Sequence, residues 1–310
     1  MPLPPPPSWP AQSVLMERSF PPGPIPDGVR PEEFAVFAGV LPEEKYNLVK
    51  TFQKSGHVVG MCGDGANDAP ALRQAQMGIA VSTATDVAKS AAGIVLTKPG
   101  LGGIVASVKE GRVTFQRVLT YTLNSVTYKI VKMFFLAVGL VMTGQAILTP
   151  MLVIINMLGG DLPGMALTTD NVRPSPKPNA WRIGSLTIAG VFMGGCELVF
   201  CTAVLAIGKF RLGFQIETLR TLSFVALVFG NQATTYMNRE RERLGSLRPS
   251  LWLVLSSAVD LLIATTLATF GFAMSPLPIF VVGGVFVAAV AFAFILDFAK
   301  VPVFKHLKIA

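Results

Sequence analysis

The residues best suited to chemistry lie in one run of twelve, MCGDGANDAPAL, at residues 61–72. The apolar run HVVGM precedes its loop and predicts a strand that ends there. The glycines let the backbone turn tightly, while two carboxylates and an amide offer hard oxygen ligands where the strand ends. This set of ligands favours Mg²⁺ and the phosphate that accompanies it. The loop residues concerned are Gly63, Asp64, Gly65, Asn67 and Asp68.

This run resembles the hinge signature T-G-D-G-x-N-D-x-P-A-L of the P-type ATPases, ion pumps of the haloacid dehalogenase superfamily, although Cys62 stands in place of the family threonine. The segment AGVLPEEK at residues 38–45 resembles the family segment whose lysine neutralises the aspartyl phosphate. Residues 77–81 and 85–88 resemble the strand and helix that follow. The resemblance implies Mg²⁺ binding by Asp64 and Asp68 and contacts to the bound cofactor from Gly63 and Gly65. It implies catalytic roles for Lys45, Asp64, Asn67 and Asp68.

The nucleophile motif of the family, D-K-T-G-T, does not occur in the 310 residues. Pumps of this kind form a covalent aspartyl phosphate on that motif, which splits one phosphoryl transfer into two steps. The resemblance covers roughly residues 34–305 and implies the carboxy-terminal portion of a pump. We therefore expect Mg²⁺ and ATP as cofactors, ATP through parts outside this chain. The missing amino-terminal half is then a partner, and the chain is expected to be inactive alone.

Composition predicts a membrane protein, because 51% of the residues are hydrophobic, 14% are charged and the mean hydropathy is +0.56. The net charge of +8 does not indicate nucleic-acid binding, since the basic residues are spread along loops without interleaved aromatic residues. Three cysteines provide no disulfide framework. The predicted partner is the lipid bilayer.

The cytosolic part is predicted to be half of a doubly wound α/β domain with a haloacid dehalogenase-like fold. Residues 1–31 form a proline-rich head that we expect to be disordered, and residues 32–102 form the partial phosphorylation domain. Its predicted helix covers residues 42–55. Its predicted strands are residues 34–40, 58–62, 78–81 and 93–97. The strand that would carry the nucleophile beside the GDG strand is missing.

Beyond a stalk helix at residues 103–117, residues 118–297 are predicted to form a bundle of six membrane helices, followed by a tail at 298–310. The spans are residues 118–142, 148–168, 184–208, 219–238, 250–272 and 277–297. An even number of spans puts both termini on one side, and the excess of Lys and Arg in the loops of that side predicts that it is the cytosol. The protein is expected to be multi-pass in the plasma or cell membrane. The basic residues concerned are Arg173, Lys177, Arg182, Arg239, Arg241, Arg243, Arg248, Lys300, Lys305 and Lys308, against Lys209 and Arg211 opposite.

The run NMLGGDLPG, residues 156–164, holds the candidate ion site in the second span. A carboxylate at mid-span costs on the order of 3 kcal/mol, so Asp161 indicates a function. The glycines and proline around it are expected to unwind the helix and free carbonyl oxygens as ligands, with Asn156 nearby. Lys132 in the first span is deep enough to pair with Asp161. Glu197 and Asp260 are interpreted as buried, hydrogen-bonded helix contacts.

Two resemblances bear on the transported ion. Residues 169–178, TDNVRPSPKP, resemble the loop after the sixth helix of plasma-membrane proton pumps, whose membrane Asp then corresponds to Asp161. Residues 162–167, LPGMAL, resemble the L-P-A-T-A-L run of calcium pumps. One carboxylate facing one cation suits a proton better than a dehydrated divalent ion, which prefers several oxygens. We expect part of an ATP-driven proton pump. The alternatives are Ca²⁺ or Mg²⁺ transport, and a catalytically silent remnant or accessory subunit.

Overall fold

The computed structural model describes residues 19–20, 33–34, 36–100, 102–175 and 181–307. The chain divides into two compact units, Met1–Val108 and Lys109–Ala310. Most of the proline-rich head predicted at residues 1–31 lies outside the described residues. Two of its residues form strand β1, Ser19–Phe20, which pairs in parallel with β2, Val36–Phe37.

The first unit is built around a parallel sheet of three strands in the order β3–β4–β5. Its strands are β3, Gly60–Gly63, β4, Met77–Ala80, and β5, Ile94–Val95. Its helices are α1, Pro42–Lys54, α2, Ala69–Gln74, and α3, Asp86–Ala91. Small buried side chains on β4, on α3 and in the loop between them pack around Leu72 of α2, which is 1% exposed. The predicted alternation of strand and helix is confirmed.

Local sequence explains how α1 and β4 are placed. Pro42 lies in the first turn of α1, where its missing N–H costs nothing, and Glu44 accepts a hydrogen bond from the N–H of Leu41. After α1 the chain turns at Gly56, whose φ of +86° favours glycine. Gly78 on β4 leaves no room for a side chain, because the backbone of Leu72 lies directly against it. The helix that follows the acidic loop is therefore held close to the sheet.

Two predicted strands are shorter than expected. Among the described residues of 34–40, the pairing covers Val36–Phe37, and in residues 93–97 it covers Ile94–Val95, because each meets its partner strand over two residues. Within the described chain β3 pairs with β4 alone, so its other edge carries no strand. Such an edge exposes unpaired N–H and C=O groups to another strand.

The second unit is helical. Its first long helix is α4, Gly102–Thr143. The following helices are α5, Pro150–Ala166, α6, Ile183–Ala206, α7, Ile216–Arg239, α8, Leu251–Phe270, and α9, Ile279–His306. Among the described helices, five are long and apolar enough to cross a membrane, and α7 is the sixth member of the bundle. The fold class is confirmed.

Helix α7 is less apolar than its neighbours because protein surrounds it. It packs against α5, α6, α8 and α9, and residues 221–232 are all buried. A helix that faces protein all round can carry polar side chains, provided that neighbouring helices supply their hydrogen-bond partners. The low hydropathy of α7 therefore does not reveal that it lies inside the bundle, surrounded by four other helices.

Two details of the membrane helices differ from expectation. Helix α5 is not unwound at its glycines but continues through Pro163 to Ala166. The proline instead removes one donor, so the carbonyl of Gly159 lacks its helical partner. Helix α9 extends past residue 297 to His306, and Lys300, assigned to a cytosolic tail, is fully buried. Its ammonium lies 2.9 Å from the Asp297 carboxylate and donates to the carbonyl of Met237.

Candidate functional site

The acidic loop begins where β3 ends, at Gly63, and its central interaction joins two distant residues. Lys45 on α1 donates a hydrogen bond of 2.7 Å to Oδ1 of Asp68, which is 5% exposed. Since Asp68 lies in a short 3₁₀ turn just before α2, the ion pair ties that turn to α1. The structure thus brings together two of the residues that the resemblance implied.

The second oxygen of Asp68 closes the loop upon itself. Oδ2 accepts from the backbone N–H groups of Asp64, at 3.2 Å, and Gly65, at 3.3 Å. A side chain at Gly63 would place its Cβ 2.6 Å from the Cβ of Asp68, so only glycine fits there. The glycine therefore makes room for Asp68, and Asp68 fixes the loop backbone.

These contacts set the ionisation of Asp68. Burial raises the pKa of this carboxyl, but the hydrogen bonds from Lys45 and from the N–H groups of Gly65 and Asp64, with the charge of Lys45, outweigh burial. The pKa of Asp68 consequently lies below its usual range. The carboxylate is ionised at neutral pH, and all of its short contacts are internal to the protein.

Asp64 is the carboxylate that remains available to a ligand. Its side chain is exposed, and within the described chain it makes no hydrogen bond or ion pair. Its backbone is fixed, because its carbonyl accepts from the N–H of Thr85 at 2.8 Å. Asn67, also exposed, lies one turn further on. An anchored backbone with a free carboxylate suits Mg²⁺, which is usually bound through one or two carboxylates, waters and phosphate oxygens.

The donor set thus fits Mg²⁺ with Asp64 as the ligand, whereas Asp68 has its oxygens committed to Lys45 and the loop. The described residues contain no group of three or more His, Cys, Asp or Glu side chains arranged to hold a metal. A site of this kind therefore depends on water and phosphate oxygens for its remaining ligands. Cys62, which stands in place of the family threonine, is half-buried. Burial, with the charges of Asp64 and Asp68, raises the pKa of its thiol, so it stays protonated.

In the membrane unit Asp161 is exposed and lines a cavity of about 290 Å³ between α4, α5 and α7. The cavity is polar for a membrane domain, because hydroxyl and amide side chains contribute to its wall. Its lining residues include Tyr121, Asn124, Ser125, Tyr128 and Asn231. The glycines of α5 let the neighbouring helices approach, since Gly160 faces the hydroxyl of Tyr128.

The two proposed companions of Asp161 are engaged elsewhere. Asn156 is 3% exposed, and its side-chain and backbone oxygens lie 2.6 and 2.9 Å from the Tyr128 hydroxyl, which donates its one proton to either of them. Lys132 forms no ion pair with Asp161 within the described chain. Its ammonium lies 4.5 Å from the centroid of the Tyr128 ring, a cation–π contact. Tyr128, which sequence reasoning missed, connects both residues to the cavity.

Glu197 on α6 and Asp260 on α8 are buried and hydrogen-bonded, as interpreted from sequence. Oε2 of Glu197 accepts from Thr234 at 2.7 Å, and Oδ2 of Asp260 accepts from Gln232 at 2.6 Å. Both partners are on α7, so the polar side chains of that helix hold a carboxyl group on either side.

A further buried pair at one end of the bundle was not expected. Arg239 at the end of α7 donates to Asp170 at 2.6 Å, and both are more than nine-tenths buried. The other oxygen of Asp170 accepts from the N–H of Ser250 at 2.7 Å, and its carbonyl accepts from Arg117 on α4. The cluster joins α4, α7 and two loops. The only sequence signal was the TDNVRPSPKP run, in which Asp170 served as a family marker.

Comparison with known proteins supports a relation to ion pumps. Residues 46–107 match the family of haloacid dehalogenase-like hydrolases. Over 247 residues, 79% of this chain, the sequence is 36% identical to a protein of Methanocaldococcus jannaschii described provisionally as a cation-transporting ATPase. The chain spans about a third of that relative's length, 31%. This chain therefore joins a haloacid dehalogenase-like domain to several helices that are apolar enough to cross a membrane, and it is a multi-pass membrane protein similar to a protein described as a cation-transporting ATPase.

Proposed function

We propose that this chain supplies the Mg²⁺–phosphate loop and the ion pathway of an ATP-driven cation pump. The observation that carries the proposal is the loop after β3, where Asp68 is committed to Lys45 and the backbone while Asp64 stays free. In this role Lys45 and Asp68 hold the loop against a phosphoryl group, Asp64 binds Mg²⁺, and Asn67 contacts phosphate oxygens. Mg²⁺ supplies charge neutralisation at the transferred phosphoryl group.

The nucleophile must come from outside these 310 residues, because the D-K-T-G-T motif is absent from them. The edge of β3 opposite β4, which pairs with no strand within the described part of the chain, is where a further parallel strand would add. We therefore propose that the reaction requires the polypeptide that carries this motif, with ATP bound there. The loops of the haloacid dehalogenase-like unit and both termini of the chain then lie in the cytosol.

For the ion, we propose a proton carried by Asp161. Asp161 lines the cavity with neutral hydroxyl and amide groups, and the described residues bring no second carboxylate into its wall. A single protonatable group suits a proton better than a divalent ion, which requires several oxygen ligands. Transport of Ca²⁺ or Mg²⁺ is the alternative outcome.

Phosphorylation tests the proposed division of labour. The chain alone, incubated with radiolabelled ATP and Mg²⁺, should form no acid-stable, hydroxylamine-sensitive phosphoenzyme. Mixed with the polypeptide that carries D-K-T-G-T, it should promote a phosphoenzyme whose turnover is lost in Asp64→Asn and retained in the exposed control Asp86→Asn. A phosphoenzyme on the isolated chain would contradict the proposed division. Failure of this chain to alter turnover in the mixture would favour the catalytically silent protein.

A further inference from the structure

Glu197 is the most deeply buried carboxyl of the membrane unit, with no exposed surface. Only one of its oxygens is hydrogen-bonded: Oε2 lies 2.7 Å from the hydroxyl of Thr234, whereas Oε1 is buried without a partner. No basic side chain of the described chain forms an ion pair with it. An ionised carboxylate with a single neutral hydrogen bond is poorly stabilised in such surroundings.

The hydroxyl of Thr234 shows which protonation state satisfies the local hydrogen bonds. Its oxygen lies within hydrogen-bond distance of three acceptors: Oε2 of Glu197 and the carbonyls of Gly230, at 3.1 Å, and Asn231, at 3.2 Å. A hydroxyl carries one proton and can donate to only one of them at a time. If Glu197 is protonated, its O–H donates to Thr234, and Thr234 donates to Gly230. With a neutral carboxyl, two hydrogen bonds run in sequence from Glu197 to Thr234 and from Thr234 to the Gly230 carbonyl. With a carboxylate, the Thr234 proton is used by Glu197 and the second bond is lost.

The same stretch of α7 connects Glu197 to the cavity of Asp161. Gly230 lies against Glu197, since a Cβ there would be 3.3 Å from its Cγ. The next residue, Asn231, lines the cavity, and its buried Oδ1 has no partner. The cavity volume of about 290 Å³ is ample for several water molecules, and buried water typically satisfies such orphaned polar atoms. Thr234 and Asn231 thus separate the carboxyl from a space that water can fill.

Among the described titratable groups near Glu197, none supplies a positive charge that would stabilise its carboxylate. On its own helix they comprise the thiols of Cys196 and Cys201, and on α4 the phenol of Tyr128 lies within electrostatic range of it. Helix α7 places its titratable residues near its ends, and in α9 Lys300 pairs with Asp297. The residues concerned on α7 are Glu217, Arg220, Tyr236 and Arg239. Asp161 on α5 and Asp260 on α8 also lie within electrostatic range of the Tyr128 phenol, and both are carboxyls that add no positive charge.

We propose that Glu197 is a second proton-binding carboxyl of the membrane unit, held neutral and reached from the Asp161 cavity through Thr234 and Asn231. Its ligand is a proton delivered by water in the cavity. The inference that this proton takes part in transport rests on the proposed pump function. The protonation of Glu197 and its access to water do not, and can be measured without turnover.

Infrared spectroscopy of the full chain in lipid vesicles tests the proposal. At neutral pH the wild type should show a carboxylic acid C=O band that is lost in Glu197→Gln. The band should shift in Thr234→Val, which removes the hydrogen bond, but not in Thr235→Val, a neighbouring buried threonine that bonds to Asn124 instead. Transfer to D₂O should move the band, because a proton reached by water exchanges. Asp297→Asn, at an ion-paired carboxylate, should leave the carboxylic band in place.

Two results would overturn the proposal. A carboxylic acid C=O band that is unchanged in Glu197→Gln at neutral pH would show that Glu197 is ionised, and a band that persists unshifted in D₂O would show that it is sealed from the cavity. If Glu197→Gln does not insert into the membrane, two measurements still test the proposal: the shift of the wild-type band in D₂O and the shift of the band in Thr234→Val. A chain that passes these tests while the pump fails to transport would exclude the proposed function and leave the proton site standing.

Discussion

Lys45 and Asp68, 23 positions apart, form an ion pair of 2.7 Å that fixes the acidic loop to the first helix of its unit. The carboxylate end of the pair is buried, and the ammonium end is 38% exposed. One end is therefore available to an incoming anion while the other holds the loop backbone. A lysine placed in this way can meet a phosphoryl group without losing its anchor.

Removing this lysine should loosen the loop. Lys45→Met leaves Asp68 buried with only backbone donors, and we expect a loss of local stability of about 1–2 kcal/mol, reduced from a fully buried pair by the exposure of Lys45. Hydrogen exchange of the Asp64 and Gly65 amides measures this loss. The matched control is Lys54→Met, an exposed lysine in the last turn of the same helix. Equal protection in both variants would show that the ion pair does not hold the loop.

Acid should release the loop in the same way. The pKa of Asp68 is lower in the folded protein than in the unfolded chain, where it is about 3.9. A group with a lowered folded pKa contributes stability above the unfolded value, and this contribution is lost as the pH falls through the folded pKa. Amide protection in the loop, corrected for intrinsic exchange, should be constant near neutral pH and fall below about pH 4. Asp68→Asn should be less protected near neutral pH and should lack this acid-dependent step. A step of equal size in the variant would assign it to another group.

The free carboxylate of Asp64 should dominate metal binding. Mn²⁺, used as a paramagnetic substitute for Mg²⁺ and followed by electron paramagnetic resonance, should bind the wild type and be displaced by Mg²⁺. Asp64→Asn should weaken binding at least tenfold, because a hard cation loses its charged ligand. Asp86→Asn and Cys62→Thr should bind like the wild type, since neither removes a metal ligand. Unchanged affinity in Asp64→Asn would move the metal site away from this residue.

Much of the fold could be predicted from sequence, because strong local patterns specify it. The run HVVGM predicts β3, the glycines predict the loop, and six apolar stretches predict the helices of the bundle. The shortness of β2 and β5 could not be predicted, since pairing length depends on the partner strand. The buried position of α7 was equally hidden, because its polar residues are satisfied by distant helices.

Only part of the candidate site could be predicted from the sequence. Lys45 and Asp68 were placed together through a family resemblance, whereas the pairing of Asp170 with Arg239, 69 positions apart, carried no local signal. The expected Lys132–Asp161 pair does not form, because Lys132 lies over the Tyr128 ring instead. Helical spacing shows which residues share a face. It does not show how neighbouring helices are rotated.

The most direct test of the account is transport by vesicles that contain this chain together with the polypeptide carrying D-K-T-G-T. ATP should drive acidification of the vesicle interior, as read by a pH-sensitive dye. Asp161→Asn should abolish it while membrane insertion is retained, and Glu217→Gln, an exposed carboxylate that does not line the cavity, should transport like the wild type. Transport that requires Ca²⁺ or additional Mg²⁺ and weakens with Asp161→Asn would assign a divalent ion instead. Full proton transport by Asp161→Asn would contradict the central claim that this carboxylate carries the ion.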